Sequence, residues 1–116
     1  MPFSTCVNRV FLLGRVSDAP NKKTINGQPV LYFRLSTTEN IKKDSGTFKY
    51  TEWHNIKLPS ESLACNTAPE HGDLVYIQGK VQTRIVFEDS VKIYKTEILV
   101  ISIEKLELSN ELIHSS

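Results

Sequence analysis

Short runs of alternating apolar and polar residues, separated by turn signals, constrain this chain most. In the run 30–38, Leu31, Phe33 and Leu35 point to one side and the residues between them to the other, as the two-residue period of a β-strand requires. Residues 22–25 can form a second strand, because the Asn26-Gly27 dipeptide that follows them is a strong signal for a tight hairpin. The pattern therefore predicts an all-β protein.

Five longer runs are predicted to be strands, with a candidate short helix between the third and the fourth. Gly79 in the fourth run indicates the strong bend that closes a small barrel. This order is that of an OB-fold, a five-stranded Greek-key barrel that binds oligonucleotides or oligosaccharides across one face. We expect the OB-fold domain over residues 1–108 and a short polar tail over residues 109–116. The predicted strands are 7–16, 30–38, 50–58, 74–84 and 91–103, and the predicted helix is 60–67.

Composition excludes several classes of protein. The chain has 116 residues, which suits a single domain, and no run approaches the roughly 20 apolar residues that span a membrane. Cys6 and Cys65 lack the spacing of a zinc site and are predicted to be free thiols. The three histidines have no neighbours in a catalytic or metal-binding pattern, so we expect no enzyme activity, no metal and no cofactor.

Positive charge is concentrated in the first half of the chain. Residues 1–58 contain 9 Lys/Arg and 4 Asp/Glu, whereas residues 59–116 contain 5 and 9, which gives +5 and −4 around a net charge of +1. This distribution allows a basic surface on a nearly neutral protein.

The only tryptophan lies in a predicted strand whose two faces differ. Trp53 shares its face with Thr51, Asn55 and Lys57, while the other face includes Ile56 and further residues. An aromatic ring beside a cation on an open sheet face is the chemistry that holds unpaired bases and their phosphates. The alternative is a tryptophan packed at a sheet edge or a subunit contact.

The last predicted strand is apolar on both faces from Ile98 to Ile101. This pattern predicts burial on both sides, by a subunit contact or by a covered sheet.

Several segments, in order and spacing, resemble bacterial-type single-stranded DNA-binding proteins, and most closely their mitochondrial members. The resemblance extends over about residues 7–108 and implies an OB-fold that forms a homotetramer and binds single strands with little sequence preference. We expect no acidic tail of the bacterial kind, which adds to the likeness with the mitochondrial members. The matching segments are 8–16, 33–39, 51–54, 72–80, 83–84 and 94–100.

The resemblance assigns roles to individual residues and also shows departures. Trp53 matches a base-stacking tryptophan, while His54 and Tyr76 match residues near subunit contacts. Arg9, Lys42, Lys80 and Arg84 fall on or beside the phosphate path. Four positions depart from the pattern, where other members have aromatic or basic residues: Ile41, Asn55, Pro59 and Val86. Candidate replacements for the missing rings are Tyr32, Phe48, Tyr50 and Phe87.

The full set of candidate site residues follows from these arguments. The nucleic-acid-binding candidates are Trp53, Arg9, Arg15, Tyr32, Arg34, Lys42, Lys43, Phe48, Lys49, Tyr50, Asn55, Lys57, Lys80, Arg84 and Phe87. The oligomer-interface candidates are His54, Tyr76, Gln78, Ile98 and Val100.

The sequence thus predicts a protein that coats and protects single-stranded DNA during replication, recombination or repair. Its expected partners are single-stranded DNA, further copies of itself and replication proteins. We expect no association with a membrane. The expected location is the mitochondrial nucleoid, with a bacterial cytoplasm as the alternative. Two other functions stay open: binding to special sites such as terminal overhangs, and a protein-interaction module that has lost general DNA coating.

Overall fold

The fold is built from six strands and one short 3-10 helix within residues 5–63 and 68–107, which are the residues that the computed structural model describes. The strands are β1 (Val10–Val16), β2 (Asn21–Ile25), β3 (Gln28–Lys43), β4 (Gly46–Pro59), β5 (Leu74–Glu88) and β6 (Val91–Glu107). The 3-10 helix, Ser60–Leu63, follows β4, so the predicted helix is present in its first half and residues 64–67 lie outside the described residues.

The strands form one sheet that closes on itself. Their order is β1-β5-β6-β4-β3-β2, and β1 also pairs with β3 through Arg15–Ser36 and Val16–Leu35. β4 and β6 run parallel and pair at only two positions, Ile56–Ile98 and Lys57–Leu99, while the other pairings are antiparallel. The predicted all-β barrel with five closing strands is confirmed, and β2 extends it as a hairpin partner of β3.

The two long hairpins extend further than the sequence pattern predicted. β3 and β4 stay paired out to Lys43–Gly46, and β5 and β6 out to Glu88–Val91. Residues 40–46, which lie between the predicted strands 30–38 and 50–58, are therefore mostly strand. The side chains from 38 to 53 are all exposed, so this part of the β3–β4 hairpin projects from the barrel as an arm.

The core occupies the inside of the barrel and comes from alternate residues of the strands. Because Leu35, Ile56 and Leu58 are almost fully buried, the predicted inner faces of the second and third long strands are confirmed. The buried cluster is Val16, Phe33, Leu35, Ile56, Leu58, Val75, Ile77, Ile98, Val100 and Ile103.

The assignment of Ile98 and Val100 to a subunit contact is corrected by this core. Both side chains are buried inside a single chain, at 7% and 2% exposure, so neither is available to a partner. The residues that alternate with them behave differently: Leu99 is half-buried and Ile101 is 43% exposed. An apolar run on both faces of β6 therefore reflects the barrel interior on one side and a partly open surface on the other.

Other predictions concern the cysteines, the C-terminal tail, membrane-spanning helices and metal sites. Cys6 is a free, exposed thiol, whereas Cys65 and the predicted tail at 109–116 lie outside the described residues. Among residues 5–63 and 68–107, no helix is long and apolar enough to cross a membrane. The same residues contain no group of three or more His, Cys, Asp or Glu side chains that could hold a metal ion.

Candidate nucleic-acid interface

The barrel has an outer face made by the outward side chains of β3, β4, β5 and β6. Register places Ser36 opposite Trp53 and Arg34 opposite Asn55, and directly opposed residues of paired strands lie on the same face. Their neighbours along the chain, such as Leu35, are buried in the core. The pleat of the strands therefore directs Trp53, Asn55 and Arg34 away from the core together.

Trp53 is an open ring with a cation against it. The side chain is 51% exposed, and the central carbon of the Arg34 guanidinium lies 4.7 Å from the ring centroid, within the range of a cation–π attraction. Since half of the ring remains accessible, a base can stack on it. The guanidinium beside it is then in reach of the phosphate attached to that base.

Arg15 belongs to the same face through the closure of the barrel. It lies opposite Ser36, which in turn lies opposite Trp53, so the three residues form a row across β1, β3 and β4. Arg15 is exposed and donates one hydrogen bond from Nη1 to the Gly72 carbonyl oxygen at 3.2 Å. The row places a second guanidinium on the Trp53 side of the barrel.

A cleft of about 310 Å³ lies on the outer face between the β2–β3 and β5–β6 hairpins. Its lining mixes cations, polar amides and one tyrosine ring, which is the chemistry that a phosphate chain with attached bases requires. The lining residues are Asp18, Ala19, Asn21, Lys23, Tyr32, Phe33, Arg34, Asn55, Ile56, Arg84, Lys95 and Glu97.

Arg84 is held by a buried acid at the floor of this cleft. Its Nε and Nη2 both donate to Oε2 of Glu97, at 2.9 and 2.8 Å, and the Glu97 side chain is only 3% exposed. The hydrogen bond to Glu97 raises the pKa of Arg84 above its usual value, so the guanidinium stays charged. Much of that charge is compensated within the protein, which makes Arg84 a weaker phosphate ligand than an unpaired cation would be.

Tyr32 is flanked by two cations. Lys23 Nζ lies 5.4 Å and the Arg84 guanidinium 5.7 Å from its ring centroid. Burial, and then the charge of Glu97, raise the pKa of Tyr32 above 10, while Arg84 opposes the shift. The hydroxyl is therefore neutral at physiological pH. A base can stack on this half-buried ring only where one of the two cations moves aside.

The arm at the end of the β3–β4 hairpin carries lysines and two further rings. Lys43 Nζ lies 5.6 Å from the Phe48 ring centroid, and the Tyr50 hydroxyl donates to Glu52 at 2.9 Å. That hydrogen bond raises the pKa of the Tyr50 hydroxyl. By the two-residue period of β4, Phe48 and Tyr50 point to the face opposite Trp53, while Lys49 points to the same face as Trp53.

The other predicted contact residues are spread over three places. Lys57 is half-buried opposite Tyr32, and Lys80 is exposed opposite Leu99, so both belong to the outer face. Phe87 is 70% exposed near the tip of the β5–β6 hairpin, whereas Val86 is half-buried. Two further predicted cations, Lys42 in the arm and Arg9 just before β1, are exposed.

The residues predicted for subunit contacts also separate. Tyr76 and Gln78 lie opposite Leu13 and Phe11 of β1, and these two apolar side chains are 53% and 60% exposed. His54 is half-buried and its Nε2 is 2.9 Å from the Thr37 hydroxyl. A patch of exposed apolar surface therefore lies beside two of the predicted contact residues.

Three side chains of this region are not among the residues predicted from the sequence. Lys23 and Lys95 line the 310 Å³ cleft, and Tyr94 is 61% exposed with Lys92 Nζ 5.4 Å from its ring centroid. The Asn26-Gly27 turn could have revealed Lys23, since the hairpin register puts residue 23 opposite residue 30. Lys95 and Tyr94 depend on the register of β5 with β6. The sequence signal at residues 88–90 indicates a loop tip between these strands, but it was not used to assign the register.

Comparison with known proteins adds a family. Residues 7–106 match the sequence profile of the single-strand binding protein family. Single-stranded DNA-binding protein 1 of Chlorobaculum tepidum is 36% identical over 106 residues, which are 86% of this chain and 65% of that protein. The single-stranded DNA-binding protein of Neisseria meningitidis is 32% identical over 81 residues, 67% of this chain and 47% of that protein. The chain thus spans less than two thirds of the length of either bacterial relative.

Solved structures agree with this match. The Plasmodium falciparum single-strand binding protein, solved in complex with single-stranded DNA, superposes with a TM-score of 0.76 at 25% identity and covers 91% of this chain and 100% of that one. The single-stranded DNA-binding protein of Thermus aquaticus superposes with a TM-score of 0.71 at 22% identity, over 87% of this chain and 50% of that one. The second likeness concerns the fold alone.

Proposed function

The chain belongs to the single-strand binding protein family, and we propose that it coats single-stranded DNA during replication, recombination or repair. The observation that carries the proposal is Trp53, half exposed on the outer face with Arg34 at 4.7 Å. Such a ring stacks on any base, because every base has a π-face, and each stacked base contributes roughly 1–3 kcal/mol. Binding of this kind protects a strand without reading its sequence.

The phosphates follow the cations around that ring. Arg34 lies beside Trp53, and Arg15 lies on the far side of Ser36 in the same row. Lys23 and Lys95 line the adjacent cleft. Lys42, Lys43 and Lys49 extend the basic surface along the arm, with Arg9, Lys57 and Lys80 at its margins. Arg84 contributes less, because Glu97 already holds it. We assign no catalytic step to this surface.

The proposal is tested by titrating the protein with oligo-dT and following the fluorescence of Trp53, which is the chain's one tryptophan. We expect strong quenching at low salt as bases stack on the ring. Absence of both quenching and a gel shift would contradict the proposal. If the protein still formed oligomers under those conditions, the result would favour a protein-interaction module instead. Equal affinity for internal single strands and for free ends would indicate general coating, whereas a preference for free ends would indicate overhang binding.

Two neighbouring lysines of β2 provide a test of the phosphate path. Lys23 lies against the Tyr32 ring in the cleft, whereas Lys22 points to the opposite face of the same strand. Each phosphate neutralised contributes about 0.7 to the slope of log affinity against log salt for single strands. We therefore expect Lys23→Ala to reduce that slope by about 0.7. Lys22→Ala is the matched control and should leave the salt slope unchanged. If both substitutions reduced the slope by the same amount, the proposed phosphate path would be contradicted.

We also propose that the protein is a homo-oligomer, and specifically a homotetramer, that uses the face of β1 and β5. Phe11 and Leu13 are more than half exposed and lie beside Gln78 and Tyr76. Apolar surface of this kind on a paired sheet is stabilised when a second copy covers it. Further partners such as replication proteins remain a proposal that follows from the family.

The oligomer is tested by light scattering. We expect association, because covering Phe11 and Leu13 removes apolar surface from water. The expected mass is about four times the 13.2 kDa of one chain, because the resemblance to the family implies a tetramer. Leu13→Lys should lower the mass, since it places a charge in the contact. Val91→Lys, at an equally exposed residue of the β5–β6 hairpin (58%), is the control and should not. A wild-type mass of one chain would contradict the proposal.

Two locations follow from different observations. The sequence resembles mitochondrial members of the family most, which favours the mitochondrial nucleoid. The curated relatives named above are bacterial proteins, which favours a bacterial cytoplasm. We propose the mitochondrial location, and fractionation of the source cells with detection of the native protein would decide between the two.

A further inference from the structure

The β5–β6 hairpin has two chemically different faces. Arg84 lies opposite Lys95 on the face that borders the cleft of the outer face. The alternate residues form the other face, where Ile85 lies opposite Tyr94 and Phe87 opposite Lys92. Ile85, Tyr94 and Phe87 are 48%, 61% and 70% exposed. The face of the hairpin opposite to Arg84 is therefore apolar and aromatic, and it also carries Lys92.

Tyr94 of this second face and Trp53 of the outer face border one cleft. β4 and β6 pair only at Ile56–Ile98 and Lys57–Leu99, so the strands are not paired at Trp53 and Tyr94. Between them lies a cleft of about 500 Å³, which is lined by Trp53, His54, Asn55, Tyr94, Lys95, Thr96 and Ile98. The two exposed rings thus border the same opening, one from each strand.

The chemistry of this opening suits a nucleic-acid strand better than a second copy of the chain. Lys92 Nζ lies 5.4 Å from the Tyr94 ring centroid, which repeats the pairing of Arg34 with Trp53. Lys95, Asn55 and Thr96 add polar contacts to the cleft. Rings with a cation beside each are what bases and their phosphates require. Phe11, the one ring of the exposed apolar pair on β1, in contrast has no cation–π partner among the described residues.

We propose that Tyr94 is a second stacking ring for the same single strand, which runs from Trp53 through the β4–β6 cleft onto Tyr94 and Phe87. This inference rests on the proposed function, because it extends the strand already bound at Trp53. It also accounts for the half-buried Val86: the strand crosses the hairpin on the opposite face, where Tyr94 and Phe87 are open.

The test compares Tyr94→Ala and Tyr94→Phe with the wild-type protein, using oligo-dT of increasing length and the fluorescence of Trp53. We expect Tyr94→Ala to weaken binding of long oligomers roughly five- to tenfold, at the lower end of the stacking range. The maximum quenching of Trp53 should persist, since that ring still stacks. Oligomers too short to reach Tyr94 should bind equally well to both proteins. Tyr94→Phe, which keeps the ring, should retain wild-type affinity.

Other outcomes separate failure of this inference from failure of the proposed function. If wild-type protein does not bind oligo-dT, the proposed function fails and the inference falls with it. If the wild-type protein binds oligo-dT with quenching and Tyr94→Ala binds every oligomer length with the wild-type affinity, only the inference is overturned. A change in oligomer mass on Tyr94→Ala, measured by light scattering, would also overturn it, because the ring would then contact a second copy.

Discussion

Replacing Trp53 with alanine is expected to weaken binding of oligo-dT roughly 10- to 100-fold, within the range for loss of a stacked base. The effect should be larger than in a relative with several stacking rings, because Ile41, Pro59 and Val86 occupy positions where such rings are common in the family. The variant has no tryptophan signal, so binding is followed by the fluorescence anisotropy of a labelled oligonucleotide.

The expected loss depends on stacking and not on folding. Trp53 is 51% exposed and belongs to the outer face, so its removal should change the free energy of unfolding by only about 0.5 kcal/mol. Trp53→Phe is the matched variant, since it keeps a smaller ring, and it should recover most of the affinity. If Trp53→Ala binds like the wild-type protein, the DNA strand does not run over the Trp53 face of β4, and the opposite face of the arm, with Phe48 and Tyr50, becomes the better candidate path.

Sequence periodicity was sufficient for the faces of the central strands. The alternation of Leu31, Phe33 and Leu35 predicted the inner face of β3, and Phe33 and Leu35 are buried as expected. The same parity predicted that Trp53 and Asn55 share a face and that Ile56 lies on the other, and Ile56 is buried while the first two are exposed. These features are local, because each depends only on which residues are two apart in one strand.

Features that depend on how strands far apart in the sequence pair with each other could not be predicted from periodicity. Ile98 and Val100 lie in an apolar run, and periodicity cannot distinguish the inside of a barrel from a subunit contact. The Arg84–Glu97 pair requires the register of β5 with β6, which shifts between Gln78 and Gly79. Both faces of the arm are exposed, so its extended pairing requires no buried apolar face that the sequence pattern could reveal. The cleft lysines and Tyr94 were missed for the same reason.

A second large effect is expected from Gly14→Ala, which should destabilise the fold by about 1–3 kcal/mol or more, the usual cost of overpacking. A Cβ at residue 14 would overlap the carbonyl oxygen of Ser36, and it would lie 3.1 Å from Thr37 Cγ2 and 3.2 Å from Leu35 Cγ. The first of these groups is backbone in the strand that closes the barrel against β1, so it cannot move aside as a flexible side chain would. Urea unfolding at several temperatures measures the change.

The same substitution should reach the binding surface, because Ser36 lies opposite Trp53. A displaced Ser36 carbonyl shifts the row of Arg15, Ser36 and Trp53, so oligo-dT affinity should fall even under conditions where the variant is folded. Val7→Ala, at a residue that is 87% exposed, is the control and should stay within about 0.5 kcal/mol of the wild-type stability. Wild-type stability for Gly14→Ala would mean that β1 and β3 do not approach this closely, and the closure of the barrel would then have to lie elsewhere along β3.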